Sequence, residues 1–247
     1  MVGNDVLVAG LFVLIGVILG LMGSGGSIVT LPVLTYLAGF PTEQAVTTTL
    51  VIVGVASLIG AALYYRQGYF HWKATLFLGL AGMPGAYFGA SLTSMVPPRF
   101  VMLAFAAVMA GAGVTMLKPR GEISAGERSL VRLAAIGLTI GVLAGFLGVG
   151  GGFLIVPALV VIARLGARQA IAASLGVITL NSIAGIAGHL ATVELPGVAV
   201  GSFVLAAVAG IWLGTTLTRH LSEMLLRRAF GWTVIAIAIA IAGSMID

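Results

Sequence analysis

The 247-residue chain reads as a succession of apolar runs broken by glycine, proline and isolated charge. Ten segments result, at about 6–22, 28–39, 44–65, 73–94, 99–117, 131–147, 153–164, 169–191, 198–219 and 224–246. Eight of them approach or exceed the roughly 20 residues that a membrane-spanning helix needs. The second and seventh hold only about 12 residues each, which at helical rise covers about 18 Å, little more than half of the hydrocarbon core.

Each short segment follows a glycine cluster. Residues Gly23 to Pro32 read GSGGSIVTLP, and Gly148 to Pro157 read GVGGGFLIVP. The pair belongs to a longer repeat: shifting the chain by 125 residues superposes 6–117 on 131–242 without a gap. Gly16 falls on Gly141, Gly20 on Gly145, Gly23 on Gly148, Gly25 on Gly150, Gly26 on Gly151, Pro32 on Pro157, Gln44 on Gln169, Ser57 on Ser182, Gly60 on Gly185, Gly85 on Gly210 and Gly89 on Gly214. The expected fold is therefore an all-α integral membrane protein. It is a single transmembrane domain of two repeats, each of about five helical segments with one short broken helix, joined by a cytoplasmic linker at 118–130.

Composition places the chain in the membrane. It is 60% hydrophobic and 8% charged, with a mean hydropathy of +1.19, whereas soluble domains carry about 25% charged residues. The net charge of +5 comes from basic residues scattered at segment ends, not clustered with aromatics, which argues against nucleic acid as a partner. Only Met1 to Asp5 precede the first segment, without Lys or Arg, so the n-region of a signal peptide is missing and the first span is expected to be retained. The absence of cysteine excludes disulfides and thiolate metal sites.

Those basic residues also set an expected orientation, because cytoplasmic loops hold the excess of Lys and Arg. If every segment changes side, all of them except Arg99 fall on one face. Both termini then lie on the non-cytoplasmic side of the cell (inner) membrane, and the two repeats have inverted topology. Re-entrant hairpins at the short segments would leave the sides unchanged.

Inverted repeats with short, Gly- and Pro-interrupted segments at matching places point to the midplane site of a secondary transporter. A half-helix beginning at Ser27 or Gly152 leaves its first amides unpaired, and these with the helix dipole favour an anion. Gly23, Gly25, Gly26, Gly148, Gly150, Gly151 and Gly152, with Ser24 and Ser27, form the expected cradle for a small anionic substrate. By contrast, the GxxxG pairs Gly16 and Gly20, Gly85 and Gly89, Gly141 and Gly145, and Gly210 and Gly214 read as helix packing.

Charged residues are nearly absent inside the spans, which disfavours carboxylate-ligated cation transport and leaves no metal or cofactor expected. Uncharged polar residues do occur one helix after each break: Thr47, Thr48, Thr49 and Ser57, then Ser174, Thr179, Asn181 and Ser182. Of these Ser57, Asn181 and Ser182 join the candidate substrate site, as do Gln44 and Gln169 at the starts of the two polar helices. His189 is the candidate for carrying a coupling proton. The tryptophans Trp72, Trp212 and Trp232, with Tyr64, Tyr65 and Tyr69, read as interface anchors.

A glycine-rich turn of the form GxGGG followed by proline, present in both halves of a small membrane protein, resembles the TauE/SafE sulfite exporter family. The second copy matches closely, while the first carries Ser24 and Ser27 where the second has Val149 and Gly152. The resemblance implies export of small sulfur-containing anions, sulfite or organosulfonates such as sulfoacetate, by alternating access. Another small organic anion is an open alternative, and homo-oligomerisation is left open too. An intramembrane serine hydrolase built on Ser24 and His189 is disfavoured, since the repeat mate of Ser24 is Val149 and no acidic partner lies in a span.

Overall fold

The computed structural model describes residues 2–23, 26–93, 95–118, 130–146, 152–161, 163–189 and 197–243. Among the described residues the regular elements are all helical: α1 (Val2–Met22), α2 (Gly26–Pro32), α3 (Thr42–Arg66), α4 (Trp72–Thr93), α5 (Pro98–Leu117), α6 (Leu130–Phe146), α7 (Gly152–Val161), α8 (Ala167–His189), α9 (Gly197–His220) and α10 (Glu223–Gly243). The order matches the ten apolar segments one for one. Among the described residues, four stretches are long and apolar enough to cross a membrane by length and composition alone, within α3, α5, α8 and α9.

The two short helices end alike. After Pro32, α2 widens into a π-helical turn, Val33–Leu37. There the Ala38 N–H donates to the Val33 carbonyl at 3.0 Å and the Phe40 N–H to the Leu34 carbonyl at 3.0 Å. The residues 125 positions on repeat this, Ala163 donating to Ala158 at 3.4 Å and Leu165 to Leu159 at 3.1 Å. Between each pair of donors sits a residue in the left-handed region, Gly39 at φ +72° and Arg164 at φ +52°. Such an end satisfies carbonyls that a terminated helix would otherwise leave bare.

The chain divides into two compact units, one from Met1–His71 with Ile171–His220 and the other from Trp72–Ala170 with Leu221–Asp247. Neither coincides with a repeat; each draws helices from both.

In the first unit α1 lies along α9 with backbones nearly touching. A side chain on Gly16 would collide with the Ala207 carbonyl oxygen, and one on Gly20 would come within 2.8 Å of the Ile211 carbonyl oxygen. Gly210 and Gly214 return the contact against the carbonyls of Val13 and Val17. The second unit packs α6 along α4 with the same residues shifted by 125: Gly141 against Gly82, Gly145 against Ala86, Gly85 against Leu138 and Gly89 against Val142. Small residues drive this in lipid, where apolar side chains gain nothing by leaving the hydrocarbon and close backbone approach supplies the attraction. One level differs between the units. Phe12 and Phe203 stack at 4.7 Å in the first, whereas at the matching level of the second, Gly137 meets the Leu78 backbone directly.

The second unit also joins α5 to α10. Gly113 approaches the Gly231 carbonyl oxygen, 2.9 Å from where a side chain would begin. Arg227 donates to the carbonyl of Met116 at 3.0 Å and to that of Lys118, so a cation covers the C-terminal end of α5. At the start of α8 the Glu223 carboxylate accepts the Ala167 N–H at 3.2 Å and the Arg168 N–H at 3.4 Å, while an Arg168 guanidinium N–H donates to the Leu221 carbonyl at 2.6 Å.

Candidate functional site

The candidate site begins where α1 stops. Gly23 takes φ +64°, a conformation that glycine adopts without steric cost. Its amide donates to the Leu19 carbonyl at 2.7 Å, closing the last turn. The space left by its missing side chain is filled by α8: any Cβ on Gly23 would lie 2.8 Å from the Ile171 Cα. The room at Gly23 thus admits the α8 backbone. Gly26 is also packed, with the Ile15 and Leu19 side chains 3.3 Å from where its Cβ would stand.

Helix α2 starts at Gly26 and α7 at Gly152, within one residue of the half-helix starts expected at Ser27 and Gly152. Ser24, Gly25, Gly148, Gly150 and Gly151 lie outside the described residues. The side chain of Ser27 is likewise outside them, as are the surroundings of Gly152 and the side chain of His189.

Two neighbouring side chains hold the end of α1. The Tyr64 hydroxyl donates to the Gly20 carbonyl at 2.9 Å and lies 3.0 Å from Thr218 Oγ1. Ser174 Oγ donates to the Gly23 carbonyl at 2.7 Å. Tyr64 is completely buried, which corrects its reading as an interface anchor. A phenol placed near a segment end by sequence turns inward here because a terminated helix presents carbonyls needing donors. Tyr65, Trp72, Trp212 and Trp232 are exposed, as anchors would be.

The polar helices α3 and α8 meet within the first unit. Gly60 packs on Leu175, Gly54 on Ser182 and Gly185 on Leu50, so numbers rise along one helix as they fall along the other. A shift of 125 turns the first of these pairs into the third: Gly60 becomes Gly185, and Leu50 becomes Leu175. This register sets Ser57 at the level of Thr179.

Ser57 and Ser182 are buried. The hydroxyls of Ser57, Thr48 and Thr49 are buried with no hydrogen-bond partner. Thr47 and Thr179 instead donate to the carbonyl four residues back in their own helices, at 3.1 and 2.8 Å, as hydroxyls in helices commonly do. Asn181 is exposed on α8, so its amide is not part of the buried polar set with Ser182. Gln44 and Gln169 are half-buried in the first turns of α3 and α8. The contributions of Tyr64 and Ser174 were not legible as such: their hydroxyls stood in the sequence, but the carbonyls they serve are backbone.

Comparison with known proteins places this architecture. The chain is 33% identical over 239 residues to a probable membrane transporter protein of Xylella fastidiosa, with 92% of this chain and 90% of the relative covered. It is 27% identical over 223 residues to the probable membrane transporter protein YdhB of Bacillus subtilis, covering 87% and 91%. No solved structure matches the chain. The family model described as sulfite exporter TauE/SafE matches residues 8–241, nearly the entire sequence. A chain of apolar helices whose two short members follow glycine clusters in the sequence, matched end to end by that model, belongs to the TauE/SafE family of multi-pass membrane transporters.

Proposed function

We propose that this protein is a secondary transporter that exports small sulfur-containing anions, sulfite or organosulfonates such as sulfoacetate, across the cell membrane by alternating access between inverted repeats. The single observation carrying this reading is the matched pair of short helices. Each starts at a glycine cluster and ends in the same widened turn, 125 residues apart. Broken helices at matching places are where transporters hold substrate, and freed N-terminal amides suit an oxyanion. The antiparallel run of α3 and α8, which are repeat mates, supports inversion.

The amides at Gly25, Gly26, Ser27, Gly151 and Gly152 would bind the anion. Ser57 and Ser182 would add hydroxyls near it, with Gln44 and Gln169 at the entrances and His189 as the group for proton coupling. Asn181 remains a candidate only through its exposed face. Both termini would lie outside the cytoplasm. Export of an anion from a cell that is negative inside is favoured by about 2.3 kcal/mol per charge per 100 mV, so no coupling ion is obligatory.

The test is efflux of labelled sulfite, sulfoacetate and a carboxylate of similar size from proteoliposomes, with and without a pH gradient. Flux of the sulfur anions above that of the carboxylate is expected. Flux of the carboxylate alone would move the assignment to another small organic anion, and flux of none would overturn it.

A further inference from the structure

Building on the reading that the glycine cluster carries the anion, we propose that Tyr64 and Ser174 are positioning residues: they fix the end of α1, at Gly20 and Gly23, through two hydrogen bonds to backbone carbonyls. The last four carbonyls of a helix have no intrahelical donor. Within a membrane such groups must be met inside the protein. Here the Gly20 carbonyl is met by the Tyr64 hydroxyl at 2.9 Å and the Gly23 carbonyl by Ser174 Oγ at 2.7 Å. Both side chains are fully buried.

The Thr218 hydroxyl donates to the Thr215 carbonyl at 2.7 Å, so toward Tyr64, 3.0 Å away, it can only accept, and the single phenol proton is shared between it and the Gly20 carbonyl. Ser174 acts from α8, one turn beyond the point where Ile171 fills the space beside Gly23. The buried hydroxyl of Thr30, by comparison, is spent on the Gly26 carbonyl of its own helix. Ser174 reaches a carbonyl 151 residues away.

Each of the four participants has a counterpart in the other repeat. Gly20 and Gly23 recur as Gly145 and Gly148, and Tyr64 and Ser174 recur as His189 and Thr49, again residues that carry a hydrogen-bond donor.

The absence of cysteine makes the test direct. Ser24→Cys puts a single thiol next in the chain after Gly23, and its modification by a small water-soluble methanethiosulfonate reports its accessibility without any substrate. The same rate, together with KM and Vmax for sulfite efflux, is measured after Tyr64→Phe, Ser174→Ala and Ser174→Thr. Thr139→Ala serves as control, because that exposed hydroxyl donates only within its own helix, to the Ala135 carbonyl.

Tyr64→Phe and Ser174→Ala are expected to change the labelling rate and to raise KM by about tenfold each, with a smaller change in Vmax; tenfold is what one lost hydrogen bond of ordinary net worth produces. Ser174→Thr, which keeps a hydroxyl, and Thr139→Ala should stay within about twofold of the unmodified protein, well under the effect of one hydrogen bond. Folded Ser174→Ala protein that labels and transports like the parent would overturn the proposal. So would failure of Ser174→Ala to fold, since the bond would then be a folding contact. A parent protein that moves neither sulfite nor sulfonate would count against the transport reading alone, because the labelling rates judge the clamp independently.

Discussion

Gly39 and Arg164 occupy the same place in the two halves, each closing a short helix in left-handed backbone, at φ +72° and +52°. The hydrogen bonds around them are the same bonds shifted by 125 residues. One half places glycine at this turn and the other a residue with a side chain, so the backbone geometry is kept while its local cost differs.

That contrast predicts a pair of opposite effects. Nothing lies within 4 Å of where a Cβ would stand on Gly39 or on Gly111 in α5. Gly39→Ala should lower stability by about 1 kcal/mol through its backbone conformation alone. Gly111→Ala, in an ordinary helix, should raise it by up to about 1 kcal/mol. Thermal unfolding in detergent would show the two midpoints moving apart, and a shared direction would contradict the φ argument.

Gly20 and Gly145 are repeat mates that face backbone. A methyl on Gly20 would meet the Ile211 carbonyl oxygen at 2.8 Å, and one on Gly145 would strike that of Ala86. Gly20→Ala and Gly145→Ala should each cost about 1–3 kcal/mol, since the obstructing atoms are main chain and cannot rotate away. The yield of monodisperse protein should fall in both variants, and an unaffected yield in either would show that its helix pair can separate without penalty.

Glu223 is the acceptor for the first amides of α8. Glu223→Ala strips both, at 3.2 and 3.4 Å, from the carboxylate, and a lost cap of this kind costs about 1 kcal/mol. Glu223→Gln keeps an acceptor oxygen without the charge and should lose less. Unfolding midpoints of the two variants, compared with the parent, give the order directly.

Ser57 carries a buried hydroxyl without a partner. Removing an unsatisfied buried hydroxyl, as Ser→Ala does, relieves a desolvation cost of about 1–3 kcal/mol. Ser57→Ala should therefore be as stable as the parent or more so, yet transport more slowly if the hydroxyl is met by substrate or water during the cycle. Unchanged flux with raised stability would remove Ser57 from the candidate site.

The class of protein, the ten helical segments and their order, and the 125-residue register were legible in the sequence, because they depend on composition and periodicity along the chain. An apolar run in lipid must become a helix whatever surrounds it, since no other arrangement of a single segment satisfies its backbone. The helix-packing role of the GxxxG glycines was readable for the same reason, spacing along one helix being set by helical geometry.

What each glycine faces was decided only in three dimensions. Gly23 and Gly16 look alike in sequence, but one admits the α8 backbone and the other that of α9. The inward turn of Tyr64, the reach of Ser174 to Gly23 and the carboxylate of Glu223 at the start of α8 all join residues far apart in the chain. Their partners are mainly backbone carbonyls and amides, which every residue carries and no residue type announces. Sequence could therefore mark where helices break, while only the packed chain determined which side chains meet the polar groups that those breaks release.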